Sequence, residues 1–173
     1  MYKSLLIFLL CCLPLCLGAQ HLRTEIKLLP SLMYNGTFDG AYEGSGLHLA
    51  YLHPISEGQL IAGIDADLAW WGSELLINAG YAHPLAQKDK LSLSGELVAQ
   101  AGIALFRPSP IFVWGLEANL AGRWQMSRRT ALELAAGLNC IDAPGYEAYG
   151  AITSYVNLPI RLGLVFRLGE LED

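Results

Sequence analysis

The stretch KLSLSGELVAQAGIALF, residues 90–106, decides the fold. One parity holds Leu91, Leu93, Gly95, Leu97, Ala99, Ala101, Ile103 and Leu105, and the other holds Ser92, Ser94, Glu96, Val98, Gln100, Gly102 and Ala104. A period of two sustained over this length describes a β-strand with one apolar and one more polar face. On a helix, Glu96 and Gln100 would fall inside the apolar stripe.

The pattern repeats outward from there. Phe112, Trp114, Leu116, Ala118, Leu120 and Trp124 alternate with Glu117, Asn119, Arg123 and Gln125. Leu132, Leu134, Ala136 and Leu138 oppose Glu133 and Asn139, and Leu158, Ile160, Leu162, Leu164, Phe166 and Leu168 oppose Asn157, Arg161 and Arg167. Reading the first half in the same way gives expected strands at 23–34, 45–53, 59–71, 74–83, 90–106, 111–125, 130–141 and 156–168. Pro30 and Pro159 each lack a ladder donor, so irregularity is expected near them.

A tilted membrane-crossing strand needs about 9–11 residues, whereas strands of soluble proteins average about five or six. The length of these segments therefore favours a closed transmembrane antiparallel up-and-down β-barrel of eight strands, apolar face to lipid and polar face inward. Hydrophobic residues make up 53% of the 173 and mean hydropathy is +0.36. Yet beyond the N-terminus no uncharged apolar run reaches the roughly 18 residues that a membrane-crossing helix requires. The length suits one domain, and a formal charge of -5 offers no basic surface for nucleic acid.

The opening MYKSLLIFLLCCLPLCLGAQ has Lys3, an apolar run from Leu5 to Leu17, and small residues at Gly18 and Ala19. It reads as a secretory signal peptide over 1–19, with the barrel domain over 20–173. An anchor helix would need a longer run, and a lipoprotein signal at Cys16 would want a small residue where Leu15 stands. Cys11, Cys12 and Cys16 leave with the signal, so Cys140 remains alone as a small wall residue. No disulfide, metal site or cofactor is expected.

Two phrases recur, YLHPISEGQL from Tyr51 and YAHPLAQKDKL from Tyr81. Each reads as a short turn at one edge of the barrel, with proline ending the strand. Tyr51, Tyr81, Trp124 and Phe166 then fall at that edge, and Tyr34, Trp70, Phe106, Phe112 and Trp114 at the other, as two aromatic girdles. The far edge carries the longer connections, 35–44 and 142–155. Their aromatics Tyr42, Tyr146, Tyr149 and Tyr155 are the candidate contact residues.

Signal peptide, alternating segments, the repeated Tyr-x-His-Pro turn and the closing strand LPIRLGLVFRL resemble the small eight-stranded outer-membrane β-barrel proteins of Gram-negative bacteria. The resemblance covers nearly all the mature chain. It implies an outer-membrane, porin-like monomer in contact with membrane lipid and lipopolysaccharide and delivered by the barrel-assembly machinery. A protein partner, extracellular or periplasmic, is compatible with it. The chain departs from the common pattern at its end, where Phe166 is followed by Arg167 to Asp173.

Folding the hairpins about their turns pairs His48 with Asp65, Asp67 with Asn78, Asn78 with Glu96, and Arg123 with Glu133, with Arg123 diagonal to Glu96. These seven residues are expected to fill the lumen as a polar network, because an eight-stranded barrel is only wide enough for its own side chains. The expected role is structural or surface-interactive; a narrow channel and a lipid A-type hydrolase are the alternatives. No catalytic residue is assigned. His48 with Asp65 and nearby Ser45 could supply a base and a nucleophile, but none of His21, His48, His53 or His83 is followed two places later by serine, the local pattern of the outer-membrane lipid deacylases.

Overall fold

The computed structural model describes residues 20–34, 37–38, 42–69, 72–105, 110–144 and 154–168; the expected leader 1–19 lies outside them. The elements are β1 (Gln20–Tyr34), β2 (Thr37–Phe38), β3 (Tyr42–Ile55), β4 (Gly58–Ala69), β5 (Gly72–Lys88), β6 (Leu91–Leu105), β7 (Pro110–Gln125), β8 (Thr130–Asp142), β9 (Ser154–Asn157) and β10 (Ile160–Leu168). The sheet runs β10-β1-β3-β4-β5-β6-β7-β8-β9, and the pairings of β10 with β8 and of β9 with β1 close it on itself. The segments β9 and β10 make one stave split at Leu158-Pro159, while β2 folds back on β1, so the barrel has eight antiparallel staves.

Proline places the irregularities of the closing seam. The pairing of β1 with β3 shifts between Leu29 and Pro30, and that of β1 with β9 shifts between Ser31 and Met33. Around the break, Leu158 donates to the Pro30 carbonyl at 2.8 Å, and Gly137 donates to that of Pro159 at 3.2 Å.

The two His-Pro phrases do not end their strands. Strand β3 continues to Ile55 and β5 to Lys88. Pairing with the preceding stave stops at Leu52 in β3 and at Ala82 in β5, two residues before each proline. Each proline thus sits where one side of its strand has lost its neighbour and a missing N–H removes no ladder bond on that side. The hairpin after β5 shifts register around Leu85 and closes through Asp89, at φ 50°. Asp tolerates that left-handed conformation better than most residues. At the opposite edge β4 and β5 pair up to Ala69 and Gly72, so the hairpin is centred about two residues before the expected 71–74 turn.

The faces divide sharply. Leu97 is 60% exposed while its neighbour Glu96 is 4% exposed; Leu116 is 52% exposed beside Glu117 at 1%. Outward side chains such as Ile26, Leu47, Leu68, Ile77, Leu120, Leu134 and Leu162 carry the same exposure around the whole wall. An apolar surface of that extent is far larger than a water-soluble monomer tolerates. Against hydrocarbon it is stable, and closure leaves no strand edge unpaired.

Inside, apolar and charged side chains share the lumen. Ala50, Leu52, Ile61, Ala82, Val98, Ala131 and Val165 pack together toward the edge of the short turns. Toward the edge of the longer connections, Leu76, Ala104, Val113, Ile141, Ala143 and Tyr155 form a second apolar cluster. Buried charged side chains interleave with both clusters, as Glu96 does with Val98 on β6 and Glu74 with Leu76 on β5.

Candidate functional site

The charged belt is built by strand alternation: each stave sends every second residue inward. From β1 come Arg23, Glu25 and Lys27; from β3, His48; from β4, Asp65 and Asp67; from β6, Glu96 and Gln100; from β7, Glu117 and Asn119; from β8, Glu133; and from β10, Arg161. All are buried. Gly46 makes one position possible, because a Cβ there would lie 1.9 Å from the Asp67 carboxylate of its register partner.

Three cations organise the belt. Arg23 grips both carboxylate oxygens of Glu96 and lies 2.7 Å from Glu133 through Nε. The Lys27 ammonium donates to Asp65 and Asp67, both at 2.9 Å, with Glu117 at 3.8 Å. Arg161 donates to Glu96 at 2.8 Å and approaches Glu117 at 3.4 Å and Glu25 at 3.6 Å. His48 bonds Asp65 through Nδ1 at 2.5 Å, and its Nε2 is 3.9 Å from Glu25. Gln100 ties Asp65 to Glu117 at 3.2 and 3.1 Å, and Asn119 donates to Glu117 at 2.7 Å. Buried charges of this kind are tolerable only when paired and hydrogen-bonded.

Of the pairings expected from sequence, the structure brings together His48 with Asp65 and Arg123 with Glu133, the latter at 2.7 Å. It separates the others. Asp67 faces Glu74, Asn78 faces Gln100, Glu96 faces Asn119, and Arg123 faces Ser92. The cause is hairpin centring: β4 with β5 pairs up to Ala69 and Gly72, and β5 with β6 up to Lys88 and Leu91, which moves the partners in both hairpins by about four residues from the expected register. Asn78 remains inward and buried, and its amide atoms have no partner among the described residues.

The sequence reading missed Arg23, Glu25, Lys27, Gln100, Glu117, Asn119 and Arg161 as network members. Their inward parity was available; their partners were not. Most of these contacts cross the lumen between staves that are not neighbours, and hairpin folding cannot find them.

Ser45 and His48 differ in parity on β3. The serine faces outward and the histidine inward, so no serine–histidine pair forms. Among the described residues no group of His, Cys, Asp and Glu is arranged to hold a metal ion.

The expected loop contact Tyr155 also takes another place. It belongs to β9, is 4% exposed, and donates its hydroxyl to Glu74 inside the barrel. Inward parity on the closing stave, where Tyr155 pairs with Ile141, puts it in the lumen. The Tyr42 side chain and residues Tyr146 and Tyr149 lie outside the described residues, as do the Tyr34 side chain, Trp70 and Phe106. Phe112, Trp114 and Trp124 face outward and are exposed; Tyr51, Tyr81 and Phe166 face outward half-buried. Cys140 is outward and exposed on β8.

At the edge of the short turns the lumen opens into a recess of about 370 Å³ lined by Gln59, Gln87, Ser92, Ser94, Arg123 and Gln125 among others. Ala82 lines the recess and also belongs to the Leu52 cluster, so the recess ends on an apolar floor.

No protein-family model matches the chain, and no curated protein matches it either. Solved structures do. One is Neisserial surface protein A, with a TM-score of 0.64 at 10% identity over 87% of this chain and 99% of that one. Another is the outer membrane protein OprG from Pseudomonas aeruginosa, with a TM-score of 0.50 at 10% identity over 88% and 97%. With the closed antiparallel wall, the apolar exterior and the charged interior, this likeness gives the chain the fold of the small eight-stranded outer-membrane β-barrel proteins.

Proposed function

We propose that the chain is an exported outer-membrane barrel with a closed lumen, and that its role is carried by its surface at the edge of the longer connections. The observation that carries this reading is the filling of the interior. Buried, ion-paired side chains occupy the lumen together with the apolar Leu52 and Leu76 clusters, and ions would have to displace both. An eight-stranded wall leaves little room besides its own side chains. The name of one structural neighbour, a surface protein, agrees with a surface role.

In this reading residues 1–19 are removed on export and the short turns face the periplasm. The longer connections, with Tyr42, Tyr146 and Tyr149, face outward among lipopolysaccharide and outside partners. The barrel reaches the membrane through the assembly machinery and works as a monomer. We read it as a non-enzymatic barrel: His48 is enclosed, and the nearby Ser45 lies on the other face of β3.

Planar-bilayer recording tests the closed lumen; the expected trace has no discrete steps, and reproducible unitary conductance would overturn it. Pull-downs comparing the full chain with forms lacking 35–41 or 145–153 test the surface role. Retention that survives both deletions would place binding elsewhere.

A further inference from the structure

Charge is unevenly placed along the short-turn edge. On the β3–β4 and β5–β6 turns, exposed Glu57 and Asp89 stand against exposed Lys88 and Lys90, so that side is balanced. The β7–β8 turn and the end of β10 differ. Arg128 and Arg129 are exposed there, while Arg123 and Arg167 point inward and are half-buried. The Arg167 backbone N–H donates to the Arg129 carbonyl at 2.8 Å, which sets these two side by side. His21, the register partner of Arg167, lies within electrostatic reach of both Arg123 and Arg167.

Among the described residues one carboxylate, Glu133, serves this group, and it also holds Arg23. Arg167 has no ion-pair partner among the described residues, and its Nε is buried without an acceptor. Lipid headgroups can neutralise Arg128 and Arg129 from outside the wall, but not a guanidinium that faces the lumen. A cation held there without a counter-charge is costly.

The sequence places that counter-charge directly after β10, in GELED at 169–173. The four arginines less Glu133 leave a surplus of three, and Glu170, Glu172 and Asp173 supply three carboxylates. Pairing of β10 ends at Phe166 with Thr130 on one side and at Leu168 with Gln20 on the other, so no described strand guides the chain further. Were the strand to run on, its parity would send Glu170 and Glu172 to the outer face with Leu168. Gly169, without a Cβ, allows a turn that sends them to the arginines. Five residues reach up to about 17 Å. Arg123 lies two staves from β10, a separation of about 10 Å.

We propose that residues 169–173 fold back over the short-turn mouth, their carboxylates pairing with Arg167 and Arg123, and so cap the recess that Arg123 lines. This rests on the closed-barrel reading above and gives it a built-in cover at one edge.

The test uses the folded chain in lipid nanodiscs with Ser92→Cys, which puts a thiol opposite Arg123 in the recess. Labelling by a neutral maleimide is read at position 92 by peptide mass spectrometry. Glu170→Gln/Glu172→Gln/Asp173→Asn should speed it about three- to tenfold. Arg167→Gln should give a similar rise, and combining the two should add little. Heat-modifiable migration checks folding; the tail variant keeps every wall residue and is decisive alone. A folded tail variant labelled at the wild-type rate overturns the cap. So does wild-type labelling that slows when citrate is added, because the arginines would then be free for an outside anion. Bilayer recording separates the two readings: a silent trace with unchanged labelling removes the cap alone, whereas unitary conductance removes the closed lumen.

Discussion

Arg23 on β1 and Glu96 on β6, 73 residues apart in sequence, meet through two hydrogen bonds inside the barrel. Arg23 also reaches Glu133, and Glu96 also receives Arg161, so four staves are tied through one pair. Replacing the arginine by methionine leaves Glu96 with Arg161 alone and Glu133 with Arg123 alone. Arg23→Met should destabilise by about 3–5 kcal/mol, measured by urea unfolding in lipid vesicles. In a double-mutant cycle with Glu96→Gln the losses should be strongly non-additive; strictly additive losses would remove the ion-pair account.

The Arg123–Glu133 pair makes a useful contrast, since its arginine side chain is 16% exposed at the mouth of the recess and its glutamate keeps Arg23. Water at the mouth screens the interaction. Its coupling should be about 1 kcal/mol or less, clearly below that of Arg23 with Glu96.

Tyr155 offers a test of inside against outside. Tyr155→Phe removes the hydroxyl donor to buried Glu74 and should cost about 1–3 kcal/mol while leaving surface binding intact. Normal stability combined with lost partner retention would return Tyr155 to the outer surface.

Gly58 is required by the tyrosine of the next stave. A Cβ there would lie 2.3 Å from the Ala82 carbonyl and 2.6 Å from the Tyr81 hydroxyl, which itself holds the Glu57 carbonyl. Gly58→Ala should therefore cost about 1–3 kcal/mol, more than Tyr81→Phe, which loses only exposed hydrogen bonds, to the Glu57 carbonyl and to His83 Nδ1. Equal unfolding midpoints for wild type and Gly58→Ala would contradict this packing.

Cys140 reports on the medium around the wall, being outward, exposed and the sole thiol of a chain without residues 1–19. In a bilayer a charged, water-soluble maleimide should label it far more slowly than in the urea-unfolded chain, by intact mass. Equal labelling rates would mean that water covers this face.

The residues that announced the fold did so locally. The alternation from Lys90 to Phe106, and its repeats, showed which side chains share a face, and that parity held through Glu96, Glu117, Glu133 and Arg161. Short turns with clear punctuation also yielded register, as for His48 with Asp65 and Arg123 with Glu133. Where the turn centre was ambiguous, near Trp70 and after Pro84, a small displacement sent Asp67 and Asn78 to other partners. Proline misled in the same phrases: the missing N–H of Pro54 and Pro84 was read as a stop, yet each falls where the neighbouring stave has already ended.

By itself, then, the order of residues determined strand number, facing and the separation of charge from grease, because a period of two is a property of the extended backbone and needs no partner. Only the tertiary structure decided who meets whom across the lumen. Arg23, Lys27 and Arg161 find their carboxylates because β1 and β10 are drawn together when the sheet closes, and closure depends on the whole ring of registers at once.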